Sequence, residues 1–254
     1  MYKLRTEKIA VIIPCYDEEQ GIAKVIEKFP RFKLDRYGFT VQVFVIDNNS
    51  TDNTAKVAEA AGAIVLHESK KGKGNALRKG FQHISDEYDY VVMLDGDDTY
   101  DPKEIFRLIE PLHHDFCDVV IGSRLGGKIH GDSMTMFNRF GNWMFTHLVR
   151  QVYRANVTDV LTGYFAWKKK AIDELHPHLI SEGFAIEMEM ITKMARLGHH
   201  ITSVPISYHQ RAGDSNLRPI YDGTRIMKMF IRNIRWNPPM INTNAIKLPE
   251  EEIA

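Results

Sequence analysis

The sequence has no long apolar segment and few cysteines. Nowhere in its 254 residues do about 18 apolar residues run together, so we predict no transmembrane helix. The N-terminal stretch MYKLRTEKIAVIIPCY has a short apolar run without a small-residue cleavage pattern, so we predict no signal peptide. The two cysteines, Cys15 and Cys117, lie in apolar contexts. This favours buried, reduced thiols over a disulfide or a metal pair.

The chain also lacks an excess of charge of either sign. Lys plus Arg and Asp plus Glu each number 33, so the net charge is zero when histidine is neutral. Domains that bind nucleic acid usually carry a basic excess, so we predict no nucleic-acid partner. The length suits one large domain or two small ones.

The first half of the chain alternates between strand-like and helix-like patterns. Apolar runs of strand length, rich in Val and Ile, occur at IAVIIPCY, VQVFVID, AIVLHE, YVVMLD and DVVIGS. Such runs fit strands that are covered on both faces, and the segments between them have helical spacing. The alternation over residues 8–124 predicts an α/β fold, with a mostly parallel sheet and helices on both faces.

The second half has a different pattern. The stretch SMTMFNRFGNWMFTHLVRQVYR predicts a long helix, and YDGTRIMKMFIRNIRW predicts a last amphipathic helix. Between them, VLTGYFAWKKKAI predicts a strand that leads into a helix, EMEMITKMARLGHH a helix, and ITSVPISYHQ a further strand.

Acidic residues gather where one predicted strand ends. YVVMLD runs directly into Asp95, Asp97, Asp98 and Asp101. A turn or a helix cap needs one carboxylate, whereas carboxylates placed closely together repel each other unless a cation lies among them. Mg²⁺ usually takes one or two carboxylates together with substrate phosphates. Ligands of open parallel sheets bind at the carboxyl ends of strands, so this segment predicts part of a metal and diphosphate site.

A basic, glycine-containing segment opens a predicted helix. In KKGKGNALRKGF, three lysines (Lys70, Lys71 and Lys73) surround Gly72 and Gly74. A turn of this kind at a helix start suits a phosphate. The segment lacks the P-loop pattern, and a solvated basic helix start explains it equally well.

Taken in order, these motifs resemble those of a known family. VIIPCYDEEQGIAKVI, VIDNNSTDNTA, GKGNALRKGF, VMLDGDDTYDP and DVVIGSR are similar to successive motifs of family 2 glycosyltransferases with the GT-A fold. RFGNWMF, TDVLTGYFAWKKKAI, GFAIEMEMITKMARLGHHITSVPISYHQRAGDSNL and YDGTRIM resemble the polyprenyl-phosphate (dolichyl-phosphate) glucose, mannose or N-acetylglucosamine synthases. The resemblance covers roughly residues 8–231. The motif Q-x-x-R-W of processive polysaccharide synthases is missing.

The resemblance implies an activity. It predicts a metal-dependent, inverting transfer of a sugar from a nucleotide sugar (UDP-Glc, UDP-GlcNAc or GDP-Man) to a polyprenyl phosphate, with Mg²⁺ or Mn²⁺. It also divides the chain into a GT-A domain at 1–218 and an amphipathic helix with a flexible tail at 219–254. Within the domain, 1–124 would bind the nucleotide and 125–218 the acceptor.

The resemblance further implies roles for single residues. The residues that would bind the nucleotide sugar are Pro14, Tyr16, Glu18, Asp47, Asn49, Lys73 and Asp95. Asp95, Asp97 and Thr99 would hold the metal, with Thr99 at a position where Gln is common. Arg124, Arg139 and Arg211 match arginines near the acceptor phosphate and, with Asp97, form the predicted catalytic set.

Two alternatives stay open at this point. The first is a GT-A enzyme with a soluble or protein-linked hydroxyl acceptor, which would need a general base. Asp159 and Glu187 are candidates for that base, and the sequence does not separate Glu187 from Glu189. The second alternative is a nucleotide-binding module without catalysis.

A lipid acceptor requires contact with a bilayer. The long helix around Phe140 and Trp143 mixes Met and aromatic residues with arginines, so it is either a core helix or an interfacial helix, and the family favours the latter. The last helix has apolar and basic residues that suit an anionic surface. We therefore predict a cytoplasmic protein attached peripherally to the cytoplasmic membrane face, in an oligomeric state that the sequence does not indicate.

Overall fold

The computed structural model describes residues 6–211 and 218–238. The strands are β1 Glu7–Cys15, β2 Phe39–Asp47, β3 Ile64–His67, β4 Tyr90–Met93, β5 Val119–Ile129, β6 Phe165–Lys168 and β7 Ile201–Tyr208. The helices are α1 Ile22–Glu27, α2 Arg31–Arg36, α3 Thr54–Ala60, α4 Lys73–His83, α5 Ile105–His113, α6 Met136–Tyr153, α7 Lys169–Leu175, α8 Ile186–Leu197 and α9 Pro219–Ile234. Short 3₁₀ turns lie at Pro102–Glu104 and His176–His178.

The strands form one sheet in the order β3-β2-β1-β4-β6-β5-β7. All neighbouring pairs are parallel except those of β6, which is antiparallel to both β4 and β5. Because β6 is reversed relative to both neighbours, β5 runs in the same direction as β4. Its carboxyl end therefore points toward the same edge of the sheet as that of β1, β2 and β4. The predicted mostly parallel α/β sheet is confirmed, with β6 inserted between β4 and β5.

Two apolar layers cover the two faces of the sheet. On one face, Ile12 of β1 belongs to a buried cluster with residues of α4, α6, α7, α8 and α9. On the other face, the next residue, Ile13, belongs to a cluster with residues of α1, α2, α3 and α5. Successive strand residues point to opposite faces, so a strand covered on both sides needs a continuous apolar run. This explains the unbroken apolar segment of β1.

The predicted halves of the chain share this one sheet. The division at residue 124 falls within β5, and the later part of the chain supplies β6 and β7. The predicted last helix is present as α9. The predicted flexible tail lies, beyond residue 238, outside the described residues. Among the helices of 6–211 and 218–238, none has the length and hydropathy needed to cross a membrane.

Candidate active site

A cleft at the carboxyl edge of the sheet contains two connected chambers of about 370 Å³ each. The first chamber lies among the ends of β1, β2 and β4 and the start of α4. The second chamber lies among β5, the segment before β6, α6 and α9. Both chambers are lined by Lys73, Asp95, Asp97, Phe184, Arg211 and Asp222. Five of these six residues are charged, so ligands in the two chambers would meet at a charged wall.

Asp95 and Asp97 follow the end of β4 and reach this shared wall. Asp97 is buried, and its Oδ1 accepts hydrogen bonds from the Thr99 hydroxyl at 2.6 Å and the Thr99 amide at 3.1 Å. Burial raises the pKa of Asp97, and the neighbouring Asp95 carboxylate raises it further, while Arg211 opposes the shift. The pair is therefore costly to ionise fully without additional positive charge.

Lys73 lies between two carboxylates. Its Nζ is 2.6 Å from Asp95 Oδ1 and 2.7 Å from Glu187 Oε1. Burial by itself would lower the pKa of Lys73, but the two carboxylates outweigh it and raise the pKa above its ordinary value. Lys73 is therefore a permanent positive charge at the point where the chambers join.

The turn that carries Lys73 is placed by tight backbone contacts. Gly72 has φ +131°, and a Cβ there would lie 2.1 Å from the Glu182 carbonyl oxygen. A Cβ on Gly74 would lie 2.2 Å from the Ser181 carbonyl oxygen. Only glycine allows these approaches. The glycines in the basic segment thus serve the packing of the 181–182 backbone against the start of α4.

Asn48 joins the end of β2 to the same turn. Its Oδ1 accepts a hydrogen bond from Gly72 N at 2.6 Å, and its Nδ2 donates to the Lys70 carbonyl oxygen at 2.7 Å. Asn48 also lines the first chamber. The sequence analysis missed this residue, because an Asn after a strand is a common turn former.

Arg211 bridges two acidic residues of the cleft. It donates to Glu18 Oε1, and its Nη1 lies 3.2 Å from Asp97 Oδ2. Burial raises the pKa of Glu18 to about 8, with Asp97 adding to the rise and Arg211 opposing it. The guanidinium therefore links the segments that follow β1, β4 and β7, at the wall that the two chambers share.

Arg124 is held by a buried carboxylate. Its Nε and backbone N donate to Asp159 Oδ2 at 2.8 and 2.9 Å, and its Nη2 donates to Asp159 Oδ1 at 2.9 Å. Asp159 is fully buried and also accepts from Asn142 Nδ2. Its oxygens are therefore occupied, and it orients Arg124 toward the second chamber. This contradicts the expectation that Asp159 is a candidate general base.

The structure separates Glu187 from Glu189. Glu187 lines the second chamber, and burial raises the pKa of its carboxyl despite the contact with Lys73. Glu189 is fully buried, accepts from Ser181 N at 2.7 Å and lies 2.6 Å from Lys193 Nζ. Glu187 is thus part of the cleft, whereas Glu189 holds the segment before α8.

Eight of the residues predicted for the site line the chambers: Pro14, Tyr16, Glu18, Lys73, Asp95, Asp97, Arg124 and Arg211. The other four, Asp47, Asn49, Thr99 and Arg139, do not line either chamber.

The contacts of these four residues explain their places. The Asp47 carboxylate accepts from Ser50 N and contacts His67, and Asn49 occupies a left-handed turn with φ +63°. Thr99 is buried behind Asp97 and orients it. Arg139 is exposed on α6. Their predicted ligand contacts stay predictions. Phe184, which the sequence analysis missed, lies in the wall of both chambers.

The acidic pair suits a hard divalent cation. Within the described part of the chain, no group of three or more His, Cys, Asp and Glu side chains could hold a metal ion. Mg²⁺ commonly uses only one or two carboxylates and completes its ligands with water and substrate phosphates. Asp95 and Asp97 match that smaller donor set. Burial, and then the Asp95 carboxylate, raise the pKa of Asp97, so a cation between the two would favour their ionised forms.

Comparisons with solved structures identify the fold. Glucosyl-3-phosphoglycerate synthase from Mycobacterium tuberculosis, in complex with Mn²⁺, UDP-glucose and phosphoglyceric acid, superposes with a TM-score of 0.69. The match covers 90% of this chain and 80% of that one, at 22% sequence identity. At this identity the likeness concerns the fold, which is GT-A in both chains.

Comparisons of sequence identify the family. Residues 10–175 match the family model described as Glycosyl transferase family 2. Glycosyltransferase AglJ of Haloferax volcanii is 36% identical over 243 residues, which are 94% of this chain and 76% of the relative. A dolichyl-phosphate hexose transferase of the same organism is 30% identical over 226 residues, which are 89% of this chain and 93% of the relative. The chain therefore belongs to glycosyl transferase family 2 and is a glycosyltransferase.

Proposed function

We propose that the protein transfers a hexose with inversion from a nucleotide sugar to a polyprenyl phosphate, and that it uses Mg²⁺ or Mn²⁺. The single observation that carries this proposal is the cleft itself, where two chambers of similar volume share a wall of Lys73, Asp95, Asp97 and Arg211. One chamber suits the nucleotide sugar and the other the acceptor. The name of the dolichyl-phosphate hexose transferase relative supports a lipid phosphate acceptor.

The first chamber has the chemistry for a nucleoside diphosphate. Asp95 and Asp97 would hold the cation, which would stabilise the negative charge that develops on the leaving diphosphate. Lys73 carries its positive charge in the same place and stabilises the diphosphate electrostatically. Lys71 donates to the Tyr16 hydroxyl at 2.7 Å and adds a second positive charge at the chamber wall. The structural neighbour binds Mn²⁺ with UDP-glucose, which supports this assignment.

The second chamber has the chemistry for a phosphate monoester. Such an acceptor is already an anion at neutral pH, so it needs positioning rather than a general base. Arg124 and Arg211 line this chamber, and their guanidinium groups would supply positive charge to the phosphate oxygens. Because Asp159 fixes Arg124 through two of its nitrogens, little side-chain freedom is lost when a phosphate binds.

Helix α6 connects the second chamber with an exposed apolar surface. Phe137 and Phe145 line the chamber, while Met136, Phe140 and Trp143 are 79%, 63% and 57% exposed. The rings of Phe140 and Trp143 stack at 5.9 Å. Exposed aromatic residues beside arginines are typical of a helix that lies in the headgroup region. This supports the interfacial interpretation of α6 and a peripheral position on a membrane surface.

A hydroxyl acceptor is the second candidate, and Glu187 favours it. This carboxylate lines the second chamber, and burial raises its pKa above the ordinary value, which makes it a better proton acceptor. Its present contact is Lys73, at 2.7 Å. In this alternative Glu187 would remove the hydroxyl proton, whereas with a phosphate acceptor it only positions Lys73.

The test has two stages. Thermal shifts with UDP- and GDP-sugars in the presence of Mn²⁺ identify the donor, because a ligand that binds only the folded state raises its apparent stability. The selected donor is then incubated with a polyprenyl phosphate, with the matching polyprenol and with soluble sugars. Transfer to the polyprenyl phosphate alone is the expected result. Transfer to a hydroxyl acceptor, with none to the phosphate, would contradict the proposal.

A further inference from the structure

A third cavity lies beside the active-site cleft. It has a volume of about 240 Å³ and lies between residues 180–185 and one face of α9. Its α9 wall consists of Arg225, Lys228, Met229 and Arg232. Three of these four side chains are cationic, at spacings of three and four residues, which place them on one helix face. We call this cavity the basic groove.

The cations of the basic groove are largely unpaired. Lys228 and Arg232 are exposed, and their side chains make neither a hydrogen bond nor an ion pair with any residue that the structure describes. Arg225 donates to the Tyr221 hydroxyl at 3.0 Å. The acidic residue in the lining, Glu182, is itself exposed. Three positive charges thus face one negative charge, and the groove is complementary to an anion.

An apolar stripe runs along α9 beside these cations. Ile220 and Ile231 are more than half exposed, and Ile234 is also exposed. Met227, between them on the helix surface, is half-buried. Adjacent basic and apolar stripes on one helix match a bilayer surface, where the apolar side chains enter the headgroup boundary and the cations meet lipid phosphates. A soluble anion would contact the cations but would leave the apolar stripe exposed to water.

We propose that the basic groove binds the phosphate of an anionic lipid headgroup. The inference rests on the proposed function, because it concerns a second contact with the bilayer that holds the acceptor. Arg225 and Arg232 offer planar donors to phosphate oxygens, and Lys228 adds a point charge. This contact is separate from the aromatic surface of α6, which interacts with lipid mainly through apolar area.

The groove shares a backbone segment with the active site. Residues 180–185 form its other wall, and within them Phe184 lines both chambers. The carbonyl oxygen of Glu182 accepts a hydrogen bond from Asn75 N at 3.2 Å, in the first turns of α4 after Lys73. The basic groove therefore adjoins the backbone segment that packs against the start of α4.

Vesicle binding by a charge-deleted protein tests the proposal. Lys228→Gln/Arg232→Gln is compared with the matched double variant Lys24→Gln/Lys56→Gln, whose lysines are exposed on the opposite face of the sheet. All proteins are sedimented with vesicles of phosphatidylcholine alone and of phosphatidylcholine with phosphatidylglycerol. The groove variant should bind anionic vesicles about 30-fold more weakly than the wild type. The matched variant should bind like the wild type, and neutral vesicles should show no difference.

Several results would overturn the inference. Equal loss in both double variants would mean a general charge effect, and no loss in the groove variant would exclude the groove. Inorganic phosphate that raised the thermal midpoint of the wild type but not of the groove variant, without vesicle binding, would indicate a free-anion site. Binding of single-stranded RNA through the same residues, without vesicle binding, would replace the lipid by a nucleic acid.

The vesicle experiment and the acceptor experiment can fail independently of each other. Failure to use any polyprenyl phosphate, with the vesicle difference intact, would reject the proposed acceptor and leave the groove in place. Transfer to polyprenyl phosphate, with equal vesicle binding by the wild type and the groove variant, would support the proposed acceptor and reject the groove as a lipid site. The thermal shift with nucleotide sugar should be the same in the wild type and the groove variant. Circular dichroism verifies that each variant is folded, and Arg232→Gln alone provides a milder change in the same direction.

Discussion

Lys73 at the start of α4 and Glu187 at the start of α8 form an ion pair across the cleft, with Nζ and Oε1 2.7 Å apart. The pair connects the basic turn with the helix that follows Phe184. It also places the Glu187 carboxylate beside the Lys73 ammonium group, which we propose stabilises the diphosphate.

Glu187→Gln and Glu189→Gln should affect different properties of the protein, turnover in the first and folding stability in the second. Lys73 keeps its 2.6 Å contact with Asp95 in Glu187→Gln, so that variant should stay folded and lose less than about 100-fold in turnover. In Glu189→Gln, Lys193 loses its buried carboxylate, which should cost about 3 kcal/mol or more in the free energy of unfolding. Denaturant titration and steady-state kinetics measure both. A much larger turnover loss in Glu187→Gln would favour a general base and a hydroxyl acceptor.

Asp97→Ala should remove the metal-supported binding of the donor. Asp97 lies in the shared wall, whereas Asp98 lines neither chamber and pairs with Lys28 at 2.5 Å. Asp98→Asn is therefore the matched control, and it keeps a residue type that tolerates the left-handed backbone at φ +62°. Calorimetry with Mn²⁺ and the donor should show lost affinity in Asp97→Ala alone. Unchanged Mn²⁺-dependent affinity would exclude Asp97 as a metal ligand.

The stability of the metal-free protein should fall as the pH rises from 4.5 to about 8. The pKa of Glu18 rises from 4.5 to about 8 on folding, so the folded state binds more protons than the unfolded state in this window. The contribution of Glu18 to the free energy of unfolding is fully present below pH 4.5 and is lost as the pH rises through about 8.

Glu18→Gln tests this pH dependence. Its thermal midpoint should change less over the same window than that of the wild type, since Gln does not titrate. Glu19→Gln, beside it but outside both chambers, should keep the wild-type slope. All measurements are made with a chelator, because a bound cation would alter the charge of the cleft. If the thermal midpoints of Glu18→Gln and of the wild type changed equally with pH, the pH dependence would have to come from other groups.

Phe140→Ser/Trp143→Ser should weaken binding to neutral vesicles about tenfold or more, because two large apolar side chains no longer enter the bilayer. Both residues are exposed, so the variant should remain folded and bind nucleotide. Phe32→Ser/Phe116→Ser removes two aromatic residues that are more exposed than Phe140 and Trp143 and lie elsewhere, and this variant should bind vesicles like the wild type. Sedimentation measures the binding. Wild-type sedimentation of the α6 variant would place the membrane contact elsewhere.

Much of the fold could be predicted from the pattern of apolar residues in the sequence. The buried part of β1, residues 9–13, must be apolar at every position to lie between two helical layers, and this requirement is visible in IAVIIPCY. The position of β6 in the sheet could not be predicted from the sequence. The segment FAWK predicts a strand, but its place between β4 and β5 and its reversed direction depend on pairing with residues far away in the sequence.

The site divides in the same way. The place of Asp95 and Asp97 in the cleft could be predicted, because ligands of open parallel sheets bind at the carboxyl ends of strands. Their role as metal ligands stays a prediction. Arg124 could be identified as a candidate, but its fixation by Asp159 could not, because the two residues belong to different elements. Asp47 looked equivalent to the other acidic strand ends, yet local hydrogen bonds turn it away from both chambers.

By itself, the sequence determined the alternating α/β order, the strand ends that bear charge and the family, because these depend on local spacing and on motifs in order. Only the tertiary structure decided that Glu187 rather than Glu189 faces the cleft and that Phe140 and Trp143 are exposed. Helical spacing restricts which residues can share a face, but it does not state which face meets another element. That choice depends on how distant segments pack together, since burial is a property of the assembled chain.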